Sequence, residues 1–166
     1  MSKFGFDLDM WGQEAKVRGL YLSVACETEF FLDRITSKCE EIDGTKRELL
    51  KLDLPYEMGS KLKRCRTVLR QYNVNYYNFF KPVFDNFDKL VKYRNMLAHG
   101  RAGFDEMKND KSYIIFNWIE GSKSTRERKE LKIEVMPFIR DMEIYRQQVF
   151  QLYKLDAKLS EERGEE

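Results

Sequence analysis

Apolar residues recur at every third or fourth position over most of the chain, a spacing that predicts long helices with one buried face. From about Met10 to Ile42, the residues Val17, Tyr21, Val24, Thr28, Phe31, Ile35 and Ile42 share such a face, and Asp43-Gly44 supplies a stop. Thr45 to Glu57 reads as a transition, with a short helical turn around Lys46 to Leu52 that Pro55 ends. Ser60 then reads as the N-cap of a second helix through about Tyr72, with Leu62, Cys65, Val68 and Leu69 inward. Asn73 to Asn75 is a turn. A third helix follows from about Tyr76 to Ala98, with Phe80, Val83, Phe87, Leu90 and Leu97 as its stripe and Pro82 near its start.

After Gly100 the period changes. Ala102 to Asp110 is loop-like, Tyr113 to Ile119 is rich in strand formers, and Leu131, Ile133 and Val135 alternate with Lys132 and Glu134. With the turn-rich Glu120 to Arg126 between them, these segments predict a β-hairpin over about 112–135. Pro137 suits the first turn of a last helix whose buried face is Ile139, Met142, Tyr145, Val149, Leu152 and Leu159. The expected fold is therefore mainly α: an up-and-down bundle of four main helices with an appended β-hairpin. It forms a single domain over residues 1–160, and an acidic tail frays over 161–166.

Composition narrows the class. Hydrophobic residues make up 42% and aromatics 14% of the 166 residues, enough for a packed core. Charged residues reach 35% but nearly cancel to a net +2, so only a local concentration of charge would mark a nucleic-acid surface. Cys26, Cys39 and Cys65 are widely spaced, with no CxxC pair, and read as small buried hydrophobes. That odd count fits a reducing cytoplasm, and a zinc site would need nearly every cysteine and the one histidine together. No apolar run is long enough to span a membrane.

Candidate chemistry concentrates in Arg94-Asn95-Met96-Leu97-Ala98-His99-Gly100, which holds the only histidine. Arg94 interrupts the apolar stripe between Leu90 and Leu97, and a charge on such a face is costly unless it is paired or opens into a cleft. On an ideal helix Arg94 and His99 lie about 140° apart, whereas Asn95 and His99 share a face. Arginine binds phosphate through a planar fork of donors, and histidine moves protons near neutral pH. Those are the two functions that metal-free RNA cleavage through the 2′-hydroxyl requires. A two-fold dimer would pair two histidines in one cleft.

The run Arg94-Asn95-x-x-x-His99 at the end of a bundle helix, with Ala98 before the histidine and Gly100 after it, resembles the ribonuclease motif of the HEPN superfamily. The resemblance is close over the motif. It extends to about Val17–Gly100 only as a pattern of helices, and it barely reaches the hairpin. It implies a helical bundle that dimerises with the motif at the interface, catalytic Arg94 and His99, and Asn95 as the motif's polar position. It also implies RNA as substrate, no metal and no cofactor, and a toxin–antitoxin, abortive-infection or other defence setting with a cognate antitoxin or regulatory partner.

Other readings remain open at this level. A histidine followed by glycine is also an ordinary helix ending, where the dipole favours a cation. The same bundle would serve as a non-catalytic interaction module binding a protein partner, a nucleotide or RNA. Between Gly59 and Phe84 the charges are Lys61, Lys63, Arg64, Arg66, Arg70 and Lys81, with no acid among them and Tyr72, Tyr76, Tyr77, Phe79 and Phe80 close by. Five of these cations (Lys61, Lys63, Arg64, Arg66 and Arg70), together with Arg101, form the candidate RNA-binding set. The hairpin-tip cations Lys123, Arg126, Arg128 and Lys129 are diluted by Glu120, Glu127 and Glu130 and read as solvated loop.

Overall fold

A single residue, Asn73, separates the second helix from the third. Its N–H donates to the Leu69 carbonyl (2.8 Å) and closes one helix, while its side-chain Oδ1 accepts from the N–H groups of Asn75 (3.0 Å) and Tyr76 (3.1 Å) and opens the next. Asparagine suits both tasks because its short amide mimics the missing backbone partner. The computed structural model describes residues 8–42, 57–104, 113–120 and 126–164. Its elements are α1 (Leu8–Ile42), α2 (Met58–Tyr72), α3 (Val74–His99), β1 (Arg101–Phe104), β2 (Tyr113–Glu120), β3 (Glu127–Glu134) and α4 (Val135–Glu162). The fold is mainly α, with four helices and one antiparallel sheet, as the periodicity predicts. The expected turn at Lys46 to Leu52 lies outside the described residues. None of the described helices is long and apolar enough to cross a membrane.

The chain gathers into two compact units where the sequence reads as one domain: Met1–Ser23 with Lys92–Glu143, and Val24–Val91 with Ile144–Glu166. In the second unit the helix directions can be read from ion pairs and ring contacts. Lys61 meets Asp33 (2.5 Å) and Arg64 meets Glu40 (2.9 Å), so α1 and α2 run the same way. Arg66 meets Asp85 (3.2 Å) and Asp88 (2.8 Å), and Gly59 lies against Val91, so α3 runs back along α2. Phe87 stacks on Tyr145 and Tyr76 bonds Glu162, which turns α4 against α3. Direction thus reverses at α2–α3 and α3–α4, while α1 and α2 are parallel. Val24, Leu32, Ile35, Cys39, Leu62, Cys65, Leu69, Phe84, Phe87, Leu90, Leu152 and Leu155 are buried at the centre of this unit.

Several expectations shift. Glu57, not Ser60, precedes α2, and it makes no side-chain cap; Ser60 lies inside the helix. Phe84 is fully buried where Val83 was expected, because Phe80, Phe84 and Phe87 follow the helical repeat more closely. On α4, Phe138 is buried and Ile139 only half-buried. Cys26 is exposed, whereas Cys39 and Cys65 are buried. The acidic tail is not frayed through its first residues: α4 continues to Glu162, whose carboxylate accepts from both Tyr72 and Tyr76 hydroxyls. Gly164, at a left-handed φ of 68°, then turns the chain and donates to the Glu161 carbonyl (3.0 Å).

In the first unit the expected hairpin is a three-stranded meander. Arg101–Phe104, anticipated as loop, pairs with β2 in the register Arg101↔Asn117 to Phe104↔Ile114. β2 pairs with β3 from Tyr113↔Glu134 to Glu120↔Glu127. Alternation puts Ile114, Phe116 and Ile133 on the buried face, with Val17, Tyr21, Leu97 and Phe138 also in this unit's core. Arg101, Asn117, Ile119 and Arg128 take the opposite, outer face.

Two outcomes follow. Burial holds Cys39 far above the ordinary thiol range, and it pushes Cys65 up to about 12. Since the thiolate is the reacting form, a maleimide at neutral pH should label Cys26 alone in the native protein and all three thiols in denaturant. Mass spectrometry counts the adducts. The Tyr72 and Tyr76 hydroxyls lower the Glu162 carboxyl below its ordinary 4.5. A depressed acid stabilises the fold above its unfolded pKa, and that contribution is lost as pH falls through the folded value. The melting temperature should therefore drop between pH 5 and pH 3 by slightly less in Glu162→Gln than in the wild type, as read by circular dichroism.

Candidate functional site

α3 ends at His99, the buried Gly100 follows, and β1 begins at Arg101. The last residues of the helix therefore carry all three motif positions, with Arg94 and Asn95 one turn or more before His99. Positions 87, 90, 94 and 97 stay on one side of the helix, and Phe87, Leu90 and Leu97 are buried. The side chains of Arg94, Asn95 and His99 lie outside the described residues.

What holds this helix end is a residue absent from the motif. Arg18, on α1, donates to the carbonyl of Leu97 and to that of Gly100 (2.6 Å), and pairs with Glu14 one turn earlier on its own helix. Its guanidinium also lies over the Phe116 ring of β2, 5.0 Å from the centroid. A helix leaves its last four carbonyls without partners and carries partial negative charge there, so a cation at this end satisfies both needs. Arg18 thereby ties α1, the end of α3 and β2 together within one unit. Sequence reasoning missed it because its partners lie 79 and 82 residues away and are backbone atoms, which no side-chain pattern encodes.

The basic run on α2 is largely neutralised by acids from neighbouring helices. Lys61 bonds Asp33 and lies 3.7 Å from Glu29, Arg64 bonds Glu40, and Arg66 spans Asp85 and Asp88. Arg70 lies over the Tyr77 ring, 5.9 Å from its centroid, and Lys63 is exposed. Arg101, the sixth candidate, stands apart from these on β1. There it lines a shallow cleft of about 720 Å³ with Asn117, Trp118, Ile119, Arg126 and Arg128. The sequence signal for this group was present in the cations near the hairpin tip, but their assembly with Arg101 depends on the β1–β2–β3 register. Among the described residues, no group of three or more histidine, cysteine, aspartate or glutamate side chains could hold a metal ion.

The chain matches no known family model, no curated protein and no solved structure.

Arg18→Ala should leave two carbonyls at the α3 terminus without donors and Glu14 without its cation. The expected loss is about 1–3 kcal/mol of unfolding free energy, measured by urea titration. Hydrogen exchange should accelerate at the last turn of α3 before it does in α2.

Proposed function

We propose that this chain is a metal-independent endoribonuclease of the HEPN type, acting as a homodimer in a toxin–antitoxin, abortive-infection or related defence setting. The observation that carries the reading is the ending of α3. His99 is its last residue, Arg94 and Asn95 lie shortly before it, and Arg18 holds the carbonyls of Leu97 and Gly100 on either side of His99. A catalytic pair needs a rigid seat to keep it in productive geometry, and a helix end clamped from two other elements supplies one.

The chemistry follows from the groups. A base takes the proton of an RNA 2′-hydroxyl, and the freed oxygen attacks the adjacent phosphorus. The bond to the 5′-oxygen breaks, and an acid returns a proton to that oxygen. The products are a 2′,3′-cyclic phosphate and a 5′-hydroxyl. His99 is assigned the proton transfers, Arg94 the charge that builds on the phosphate, and Asn95 the orientation of phosphate or imidazole. A symmetry-related His99 would let one imidazole act as base while the other acts as acid.

Wild type, His99→Ala and Arg94→Ala should be compared on labelled RNA in excess EDTA. The wild type should cleave, and His99→Ala should be slower by about 100-fold or more, with unchanged circular dichroism. Expression of the wild type, but not of His99→Ala, should arrest growth. Equal cleavage by wild type and His99→Ala, or none by either, would favour a binding module in place of an enzyme.

A further inference from the structure

The outer face of the sheet collects three arginines that the rest of the molecule leaves uncompensated. Arg101, Arg126 and Arg128 are all exposed and line one cleft with Asn117, Trp118 and Ile119. Elsewhere arginines are matched with acids: Arg18 with Glu14, Arg34 with Asp156, Arg64 with Glu40, and Arg66 with Asp85 and Asp88. Among the described residues, none of the three cleft arginines has a carboxylate within ion-pair distance. Glu127, which sits between Arg126 and Arg128 in the chain, is taken by Lys129 at 2.6 Å. Arg128 instead donates to the neutral Asn117 Oδ1, at 3.3 Å. Glu130 lies across from Asn117 on the same face and marks where the positive run stops.

The register sets the spacing of these charges. Arg101 pairs with Asn117, and Arg128 pairs with Ile119 two residues further along β2. With about 4.8 Å between strands and about 3.4 Å per residue, the Cα atoms of Arg101 and Arg128 lie about 12 Å apart. Charges on three successive points of a twisted sheet suit a linear polyanion better than one compact phosphate. Guanidinium groups match phosphate oxygens in a bidentate manner. Trp118, which also lines the cleft, has an indole N–H that is buried with no acceptor among the described residues. The open, shallow shape admits a strand that continues past the protein at both ends. Arg101 follows His99 by only two residues.

We propose that this cleft is a binding track for the phosphate backbone of single-stranded RNA, with Arg101, Arg126 and Arg128 each taking a phosphate. The identity of the polymer rests on the ribonuclease reading; the anionic backbone rests on the cleft itself. The track would hold the strand that reaches the end of α3, and α2 would contribute little because its cations already have partners.

Binding should be measured by fluorescence anisotropy with a 12-nucleotide fluorescein-labelled RNA in EDTA, using full-length protein that carries His99→Ala to prevent cleavage. Charge removal at Arg101, Arg126 and Arg128 together (each to Gln) should weaken binding by about tenfold or more. It should also flatten the plot of log K against log salt by about 2, since each neutralised phosphate contributes about 0.7 for a single strand. The corresponding Arg→Lys variant should retain most of the salt slope, which separates charge from misfolding. Lys63→Gln with Arg70→Gln should bind as tightly as the parent. The proposal is overturned if the triple variant binds with unchanged affinity and slope, or if the α2 variant is the one that loses RNA. It is also overturned if the parent ignores RNA and takes a polyglutamate peptide instead. Failure of wild-type protein to cleave, with the triple-variant binding loss intact, would remove the nuclease reading and leave the track standing.

Discussion

One guanidinium organises the region that matters most. Arg18 reaches from the middle of a long helix to the carbonyls that close another, lies over a phenylalanine of the sheet, and balances its charge on Glu14. Each contact alone is modest: a hydrogen bond to a charged donor is worth about 1.5–3 kcal/mol, and a cation–π contact about 0.5–2 kcal/mol. Their value lies in convergence. Three elements far apart in sequence must be correctly positioned before any of these contacts forms. The terminus that carries His99 is then defined by tertiary structure, not by local capping chemistry.

A second kind of constraint operates in the other unit. Lys38 and Asp156 are buried and paired at 2.7 Å, Arg34 joins them at 3.0 Å, and Lys38 also donates to the Asp156 carbonyl and to Ser160. Glu40 is buried beside Arg64. Removing charges from water is expensive, so such pairs add little net stability. They do penalise other alignments of α1 with α2 and α4, because sliding either helix would leave a charge without its partner. Two buried cysteines fill the small spaces between, and burial keeps them as thiols.

The helices were legible because burial of one face imposes a 3.6-residue period that no neighbouring chain segment needs to supply. Their boundaries were less legible: Ser60 looked like a cap by type, yet the chain enters the helix at Glu57. β1 was hidden because Arg101-Ala102-Gly103-Phe104 has no alternation of its own, and its backbone becomes a strand by pairing with β2. The basic face of α2 misled for a related reason. Counting charges along the chain showed no acid nearby, while the acids arrive from α1 and α3. For the candidate site, residue chemistry picked out Arg94, Asn95 and His99 from sequence alone. The seat beneath them, built by Arg18, was invisible because an arginine bonding to remote carbonyls leaves no periodic trace.

Asn73 gives this architecture a last property. One amide both terminates α2 and initiates α3, so the start of α3 has no slack, and its far end is fixed by the Arg18 clamp. A rod anchored at both ends acts as a ruler. Each residue gained or lost between the anchors would swing His99 by about 100° and shift it about 1.5 Å relative to Phe84 and Phe87. Length variation in this protein should therefore be confined to the connections between elements, and the 26-residue span of α3 should behave as a fixed quantity.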